Sequence, residues 1–260
     1  MRVYAEVARR SFIRHSSYRG ATIAGVFTNS VFAFIRAYTL LAVYEQRADV
    51  RGLDAVGAVT FVFVSQGFLL VIGAFGVREI AERVRTGDIA TDLYRPLDFS
   101  GYWLANDLGR SAFSLFGRGI PPVLLGSLFF DLRLPSSPIR WVAFLVCVVF
   151  SAALASRFWL IVNLAAFWVV EVRGVIQLAV LVLMFCTGIM FPLQFLPGAL
   201  GTIVRLTPFA AMVQFPIEVF VGLRDPLPVL GVQLLWFVVL HGIGLFVLGR
   251  AVRKVVVQGG

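Results

Sequence analysis

Long apolar runs separated by short polar stretches set the pattern of this chain. Six of them approach the ~20 apolar residues that a membrane-crossing helix needs: about 21–44, 55–77, 99–130, 140–166, 174–190 and 229–249. The third is too long for one straight helix. Inside it, Gly117-Arg118-Gly119-Ile120-Pro121-Pro122 predicts a kink or break. The connections at Glu45–Asp54, at Asp131–Ile139 with Pro135 and Pro138, and around Glu171 and Arg173 are short turns.

Three stretches differ from this pattern. Residues 1–20 carry Arg2, Arg9, Arg10, Arg14 and Arg19 opposite a stripe of Val3, Tyr4, Val7, Ala8 and Phe12. That periodicity predicts an amphipathic helix in the membrane interface, with a disordered basic tail as the alternative. Residues 78–96, REIAERVRTGDIATDLYRP, are the longest strongly polar run between apolar segments. Ile80 and Val84 stand four apart. Glu79 and Glu82 come early and Arg83 and Arg85 late, the order a helix dipole favours. Gly87 reads as a C-terminal stop, Asp88 as the cap of a second short helix bearing Ile89 and Leu93, and Pro96 as its end. A plain solvated loop is the alternative. Residues 191–228 are apolar but hold Pro192, Pro197, Pro208, Pro216, Pro226 and Pro228 among the chain's 11 prolines. No continuous span carries that spacing. Two half-helices, about 198–206 and 209–221, fit a re-entrant hairpin, against a long external loop as the alternative.

Composition agrees. The chain is 59% hydrophobic and 14% charged, with mean hydropathy +0.89, whereas soluble domains are about half apolar and a quarter charged. The expected fold is an all-α polytopic membrane protein with six transmembrane helices, as a single domain over 21–260 behind the N-terminal helix. No internal repeat and no linker to a second domain is visible, and the first apolar stretch is too long for a cleavable signal.

The net charge of +9 is spread between spans rather than gathered on one surface, so nucleic acid is not the implied partner. Positive charge orients the spans instead. Arg2, Arg9, Arg10, Arg14, Arg19, Arg78, Arg83, Arg85, Arg95, Arg173, Arg250, Arg253 and Lys254 fall on one side. Arg47, Arg51, Arg133, Arg140, Arg205 and Arg224 fall on the other. Both termini and the 78–96 element are therefore expected in the cytoplasm, and the proline-rich hairpin outside. The near-exclusive use of Arg over Lys suits a high-GC bacterial genome.

Catalytic chemistry is hard to assemble. A phosphate loop needs a lysine after a Gly-rich turn, and Lys254 is the only lysine. His15 and His241 lie at opposite ends and no residues have metal-ligand spacing. His241 reads as a hydrogen-bonded helix residue, and Cys147 and Cys186 as buried thiols. Asp107 and Arg110, three apart, predict a local ion pair, with Asp107 as a proton carrier the alternative. Arg36, Gln66, Arg110 and Arg118 are candidates for a substrate path. The three intramembrane arginines suit an anionic or zwitterionic amphiphile, or else snorkel or pair with other helices.

Two motifs resemble those of the membrane subunits of type-2 ATP-binding-cassette exporters, the ABC-2 permeases. One is TGDIATDLYRPL, Thr86–Leu97. The other is GIMFPLQFLPGAL, Gly188–Leu200, followed by LTPFAAMVQFPIEVFVG, Leu206–Gly222. Together with the six spans and the interfacial helix, the resemblance covers essentially the whole chain. It implies a permease that pairs with an identical or sister six-span chain and docks a separate cytoplasmic ATPase. That partner, not this chain, would carry ATP and magnesium, so this chain would be no enzyme and bind no cofactor. It further implies that 78–96 is the coupling helix, with Arg83, Arg85, Gly87, Asp88, Asp92 and Leu93 at the contact. Phe191, Pro192, Pro197, Pro208, Phe209 and Pro216 would shape an external gate. Export of an amphiphilic drug, lipid-like molecule or other hydrophobic compound across a bacterial plasma membrane would follow. The rival class is a self-sufficient ion- or proton-coupled transporter using Asp107 and Glu218.

Overall fold

The structure, a computed structural model, describes residues 2–46, 48–169 and 171–254. Arg47 and the chain end after Lys254, part of the expected outer charge set and of the expected domain, lie outside them. Helix makes up 77% of the described backbone. Helix α1 (Arg2–Ser16) is followed by α2 (Arg19–Tyr44). A two-residue hairpin, β1 (Asp49–Val50) and β2 (Leu53–Asp54), occupies the first turn. Arg51 and Gly52 both have positive φ (52° and 83°), as a hairpin turn matched to strand twist requires.

Helix α3 (Ala55–Val71) is buried almost all round and forms the centre of the bundle. It stops six residues short of the expected end at Val77. Then come α4 (Glu79–Thr86), α5 (Ile89–Leu93) and α6 (Phe99–Ser114). The expected break in the third apolar run is a π-helical turn, Leu115–Gly119, that leads into α7 (Ile120–Gly126). Pro121 and Pro122 have no N–H for the carbonyls one turn back, and the wider turn absorbs that loss. There Gly67 of α3 and Gly119 touch so closely that a Cβ on Gly119 would stand 2.9 Å from the Gly67 Cα.

Helix α8 (Pro138–Leu164) is capped by the Ser137 hydroxyl, which accepts from the Arg140 N–H. Helix α9 (Arg173–Cys186) is followed by α10 (Gly198–Arg205), α11 (Pro208–Met212), α12 (Gln214–Phe220) and α13 (Pro226–Val252), which packs along α8. Gly222 closes α12 at φ 84°.

Among the described residues three helices are long and apolar enough to cross a membrane alone: Arg19–Tyr44, Pro138–Phe167 (α8 with its 3₁₀ extension) and Pro226–Val252. Helices α3 and α9 are apolar but shorter. At 1.5 Å per residue α9 reaches only about 21 Å, under the ~30 Å of a hydrocarbon core.

The hairpin departs from expectation in two places. The second half-helix is not continuous over 209–221 but breaks at Val213 (φ −135°, ψ −56°). Pro216 cannot donate to the Met212 carbonyl and its ring would collide with it, so the backbone turns there. Pro226 and Pro228 belong to the first turn of α13, where no N–H partner is needed, so the hairpin ends before them.

Helix α1 packs lengthwise against α6. The Ser11 hydroxyl donates to the Asn106 carbonyl at 2.7 Å, and Phe12 meets Phe113 edge-on at 5.7 Å. The His241 ring stacks on Phe237 at 5.7 Å and its Nδ1 has no partner among the described residues, so it is a packing residue rather than a hydrogen-bonded one. Cys147 and Cys186 are free thiols.

Candidate functional site

The polar stretch 78–96 folds as two short helices separated by Gly87, which takes φ 84° and bonds back to the Val84 carbonyl. Its apolar face is anchored. Ile80 and Ile89 pack with Phe99, Trp103, Leu160 and Leu164. Asp88 does not cap α5 as expected. Its backbone is already helical, and its carboxylate accepts from the Thr86 hydroxyl at 2.8 Å. Asp92 is buried, and its carboxylate takes Arg83 (Nη2 at 2.9 Å, with Nε closer still) and Arg95 at 3.2 Å. Arg83 and Asp92 therefore brace the two helices against each other rather than offer a free contact surface. Hydrogen bonding to Asp92 holds the Arg83 guanidinium above its ordinary pKa. Leu93 is half-buried against the same core. Arg85, Asp88 and Tyr94 remain exposed, Tyr94 at 80%. Tyr94 was not singled out by the sequence pattern; an aromatic next to the Arg-Pro end of a helix was the signal on offer.

The attachment of this element to the bundle is polar and specific. Between α3 and α4 the chain unwinds through Gly73 and Gly76, both at positive φ (65° and 94°). Carbonyls at the end of α3 and beyond it are met by side chains of two other helices. Arg110 donates to Leu70 O at 3.0 Å and Ser111 to Val71 O at 2.8 Å. Trp159 donates to Ile72 O and Asn163 to Val77 O, both at 2.8 Å. The Asn163 amide oxygen accepts the Ala81 N–H at 3.0 Å, one of the free donors of the first turn of α4. On the other flank Arg14 of α1 pairs with Glu79 at 3.1 Å. A cavity of about 450 Å³ lies beside α4, lined by Arg78, Glu82, Arg85, Glu171, Arg173 and apolar neighbours.

The substrate-path candidates separate. Arg110 pairs with Asp107 at 3.5 Å as expected, and Ser156 donates to the same carboxylate at 2.7 Å. Arg118 lies across Gly25 of α2, where a Cβ would meet its Cδ and Nε at 3.3 Å. Arg110 and Arg118 line one cavity. Arg36 is elsewhere, with its Nη1 at 3.4 Å from the Ser65 hydroxyl, and Gln66 is buried in α3.

The proline-rich hairpin has a polar centre. Glu218, 2% exposed, accepts from Gln194 at 2.9 Å and Gln214 at 2.7 Å, and pairs with Arg205 at 3.0 Å and Arg224 at 2.5 Å. Arg51 of the β-hairpin donates to the Leu196 carbonyl at 3.1 Å. Around this centre Pro192 and Pro216 are buried, Pro208 starts α11, and Pro197 is exposed just before α10. Phe209 meets Phe158 of α8 at 5.4 Å and Phe191 meets Phe185 of α9 at 6.5 Å. Among the described residues no three His, Cys, Asp or Glu side chains converge as metal ligands do.

No curated protein matches the chain. A family model described as ABC-2 family transporter protein matches residues 32–259, from the second half of α2 through α13. The chain belongs to the ABC-2 transporter family, as a membrane permease component of the kind that works with an ATP-binding-cassette subunit.

Proposed function

We propose that this chain is the permease subunit of an ATP-driven exporter, with six spans counted as α2, α3, α6–α7, α8, α9 and α13, and both ends in the cytoplasm of a bacterial cell. Two such chains, identical or sister, form the path, and each docks a separate cytoplasmic ATPase that holds ATP and magnesium. Helices α4 and α5 are the coupling element, and Arg85, Gly87, Asp88 and Tyr94 face the ATPase. The hairpin from Phe191 to Arg224 closes the outer side. The cargo is an amphiphilic or hydrophobic compound.

The observation that carries this reading is the way α4 is held. A helix that merely filled a loop would need no bonds to α8. Here Asn163 joins its first turn to α8, while Arg110 and Ser111 of α6 hold the strand of backbone leading to it. A push on α4 therefore reaches α3, α6 and α8 together, the rigid coupling a two-state access change needs. Asp107 and Glu218, the acids an ion-coupled transporter would use, are each paired with arginine, which weighs against that class.

The test is gentle purification of the tagged chain from its native host with mass spectrometry of its companions. A stoichiometric ATP-binding-cassette subunit supports the reading, and a second six-span chain makes the path a heterodimer. A monodisperse chain without any ATPase refutes it.

A further inference from the structure

A cavity of about 370 Å³ opens between the α1–α2 junction, the unwound end of α3, and α6 with its π turn. Among the described residues three arginines line it, Arg78, Arg110 and Arg118, with Glu79 as the one carboxylate. The charges do not cancel. Glu79 is engaged by Arg14 at 3.1 Å, and Arg110 is engaged by Asp107 at 3.5 Å. His15 adds no further cation, because burial holds its pKa below the ordinary value. Arg78 and Arg118 are left without an acidic partner among the described residues. The Nε of Arg118 is buried with no acceptor, so this side chain has not simply escaped to water. A guanidinium held in that way is a fork waiting for an oxyanion.

The rest of the wall is of the opposite character. Leu70, Val77 and Phe113 line the interior, and Tyr18 and Phe75 stand at the mouth, 68% and 61% exposed. Exposed aromatic side chains at a cavity mouth suit the boundary between headgroups and hydrocarbon, where tyrosine is enriched. The volume is about a dozen waters at ~30 Å³ each, enough for a headgroup but not for acyl chains. The chains would leave past Tyr18 and Phe75 into the bilayer.

We infer that this cavity binds the anionic headgroup of an amphiphile, with Arg118 and Arg78 on the oxyanion and Phe75 and Tyr18 on the start of the tail. The proposal narrows the cargo of the exporter read above to an anionic amphiphile, and only that last step depends on the exporter reading.

Binding is measured on the purified full chain alone, without ATPase or transport, so its failure leaves the permease assignment untouched. Fluorescent phosphatidylglycerol is titrated in detergent against phosphatidylcholine, with inorganic phosphate as competitor. Phosphatidylglycerol should bind preferentially, and millimolar phosphate should not displace it. Arg118→Gln should weaken it about tenfold or more, the loss of a charged hydrogen-bond donor. Arg118 makes no bond within the described protein, so its replacement should leave the melting temperature unchanged. If that variant nevertheless fails to fold, Arg78→Gln provides the same reading. Arg250→Gln, equal in charge change but outside the cavity, should bind as wild type. Equal affinity for phosphatidylcholine, wild-type binding by Arg118→Gln and Arg78→Gln, or an equal loss in Arg250→Gln overturns the proposal. Displacement by phosphate overturns the amphiphile in favour of a soluble anion.

Discussion

Asn163 of α8 accepts the Ala81 N–H of α4 at 3.0 Å, across 82 residues of sequence, while its amide nitrogen donates to Val77 O at 2.8 Å. One side chain thus closes both ends of the gap between the unwound tail of α3 and the first turn of α4. Asn163→Leu would leave a buried donor and a buried acceptor unpaired, at about 1–3 kcal/mol each. The expected result is a lowered melting temperature in detergent. ATP hydrolysis by the bound partner should persist while transport falls. If transport per folded molecule equals that of wild type, the link carries no motion.

Asp88 and Asp92, four apart on the same element, should respond oppositely to charge reversal. Asp88 is exposed, so Asp88→Lys should leave the melting temperature unchanged and weaken ATPase association or transport. Asp92 is buried between Arg83 and Arg95, and Asp92→Lys would leave two guanidinium groups facing a third cation. Loss of such a pair costs about 3 kcal/mol when fully buried, and less here because Arg83 and Arg95 are partly solvated. Hydrogen exchange over 79–95 should rise in the Asp92 variant alone.

Glu218 holds the hairpin at its centre. Glu218→Gln keeps the shape but leaves Arg205 and Arg224 without a counter-charge, at a cost of up to about 3–5 kcal/mol for a fully buried pair. Hydrogen exchange should rise across 193–224 and not in α8. Arg205→Gln keeps Arg224 on the carboxylate and should cost less. An equal effect of the two variants would show that the carboxylate is not the hub.

Gly109 lets α1 lie on α6. A Cβ there would stand 2.0 Å from the Ala8 carbonyl oxygen, which backbone cannot yield without moving the helix. Gly109→Val should release α1, break the Ser11–Asn106 hydrogen bond and expose α1 to protease, while α8 and α13 keep their protection. Unchanged cleavage of α1 would mean that α1 binds elsewhere.

The apolar runs were enough to place the three long helices. The helix boundaries of α2, α8 and α13 lie within a few residues of those the apolar runs predict, because burying or immersing such runs requires backbone bonds satisfied within the segment. Gly87 was legible for a similar local reason: a stop before an acidic residue needs a residue free to take positive φ. The TGDIATDLYRPL and proline-rich motifs carried the family.

What the sequence could not decide are the contacts made by residues far apart in it. Asp88 looked like a cap and is not one, since its backbone is already helical. Asp92 looked like a docking charge and is a brace, because α4 folds back and brings Arg83 onto it. The break at Val213 did have a local sign, Pro216 three residues on, which an unbroken half-helix over 209–221 passes over. Arg110 and Arg118 were separable from Arg36 only after α1 had closed one wall of their cavity. Periodicity and glycine act within a turn or two of helix and are readable in one dimension. Which buried donor meets which acceptor depends on where α1, α3, α6 and α8 come to lie, and only their packing decides it.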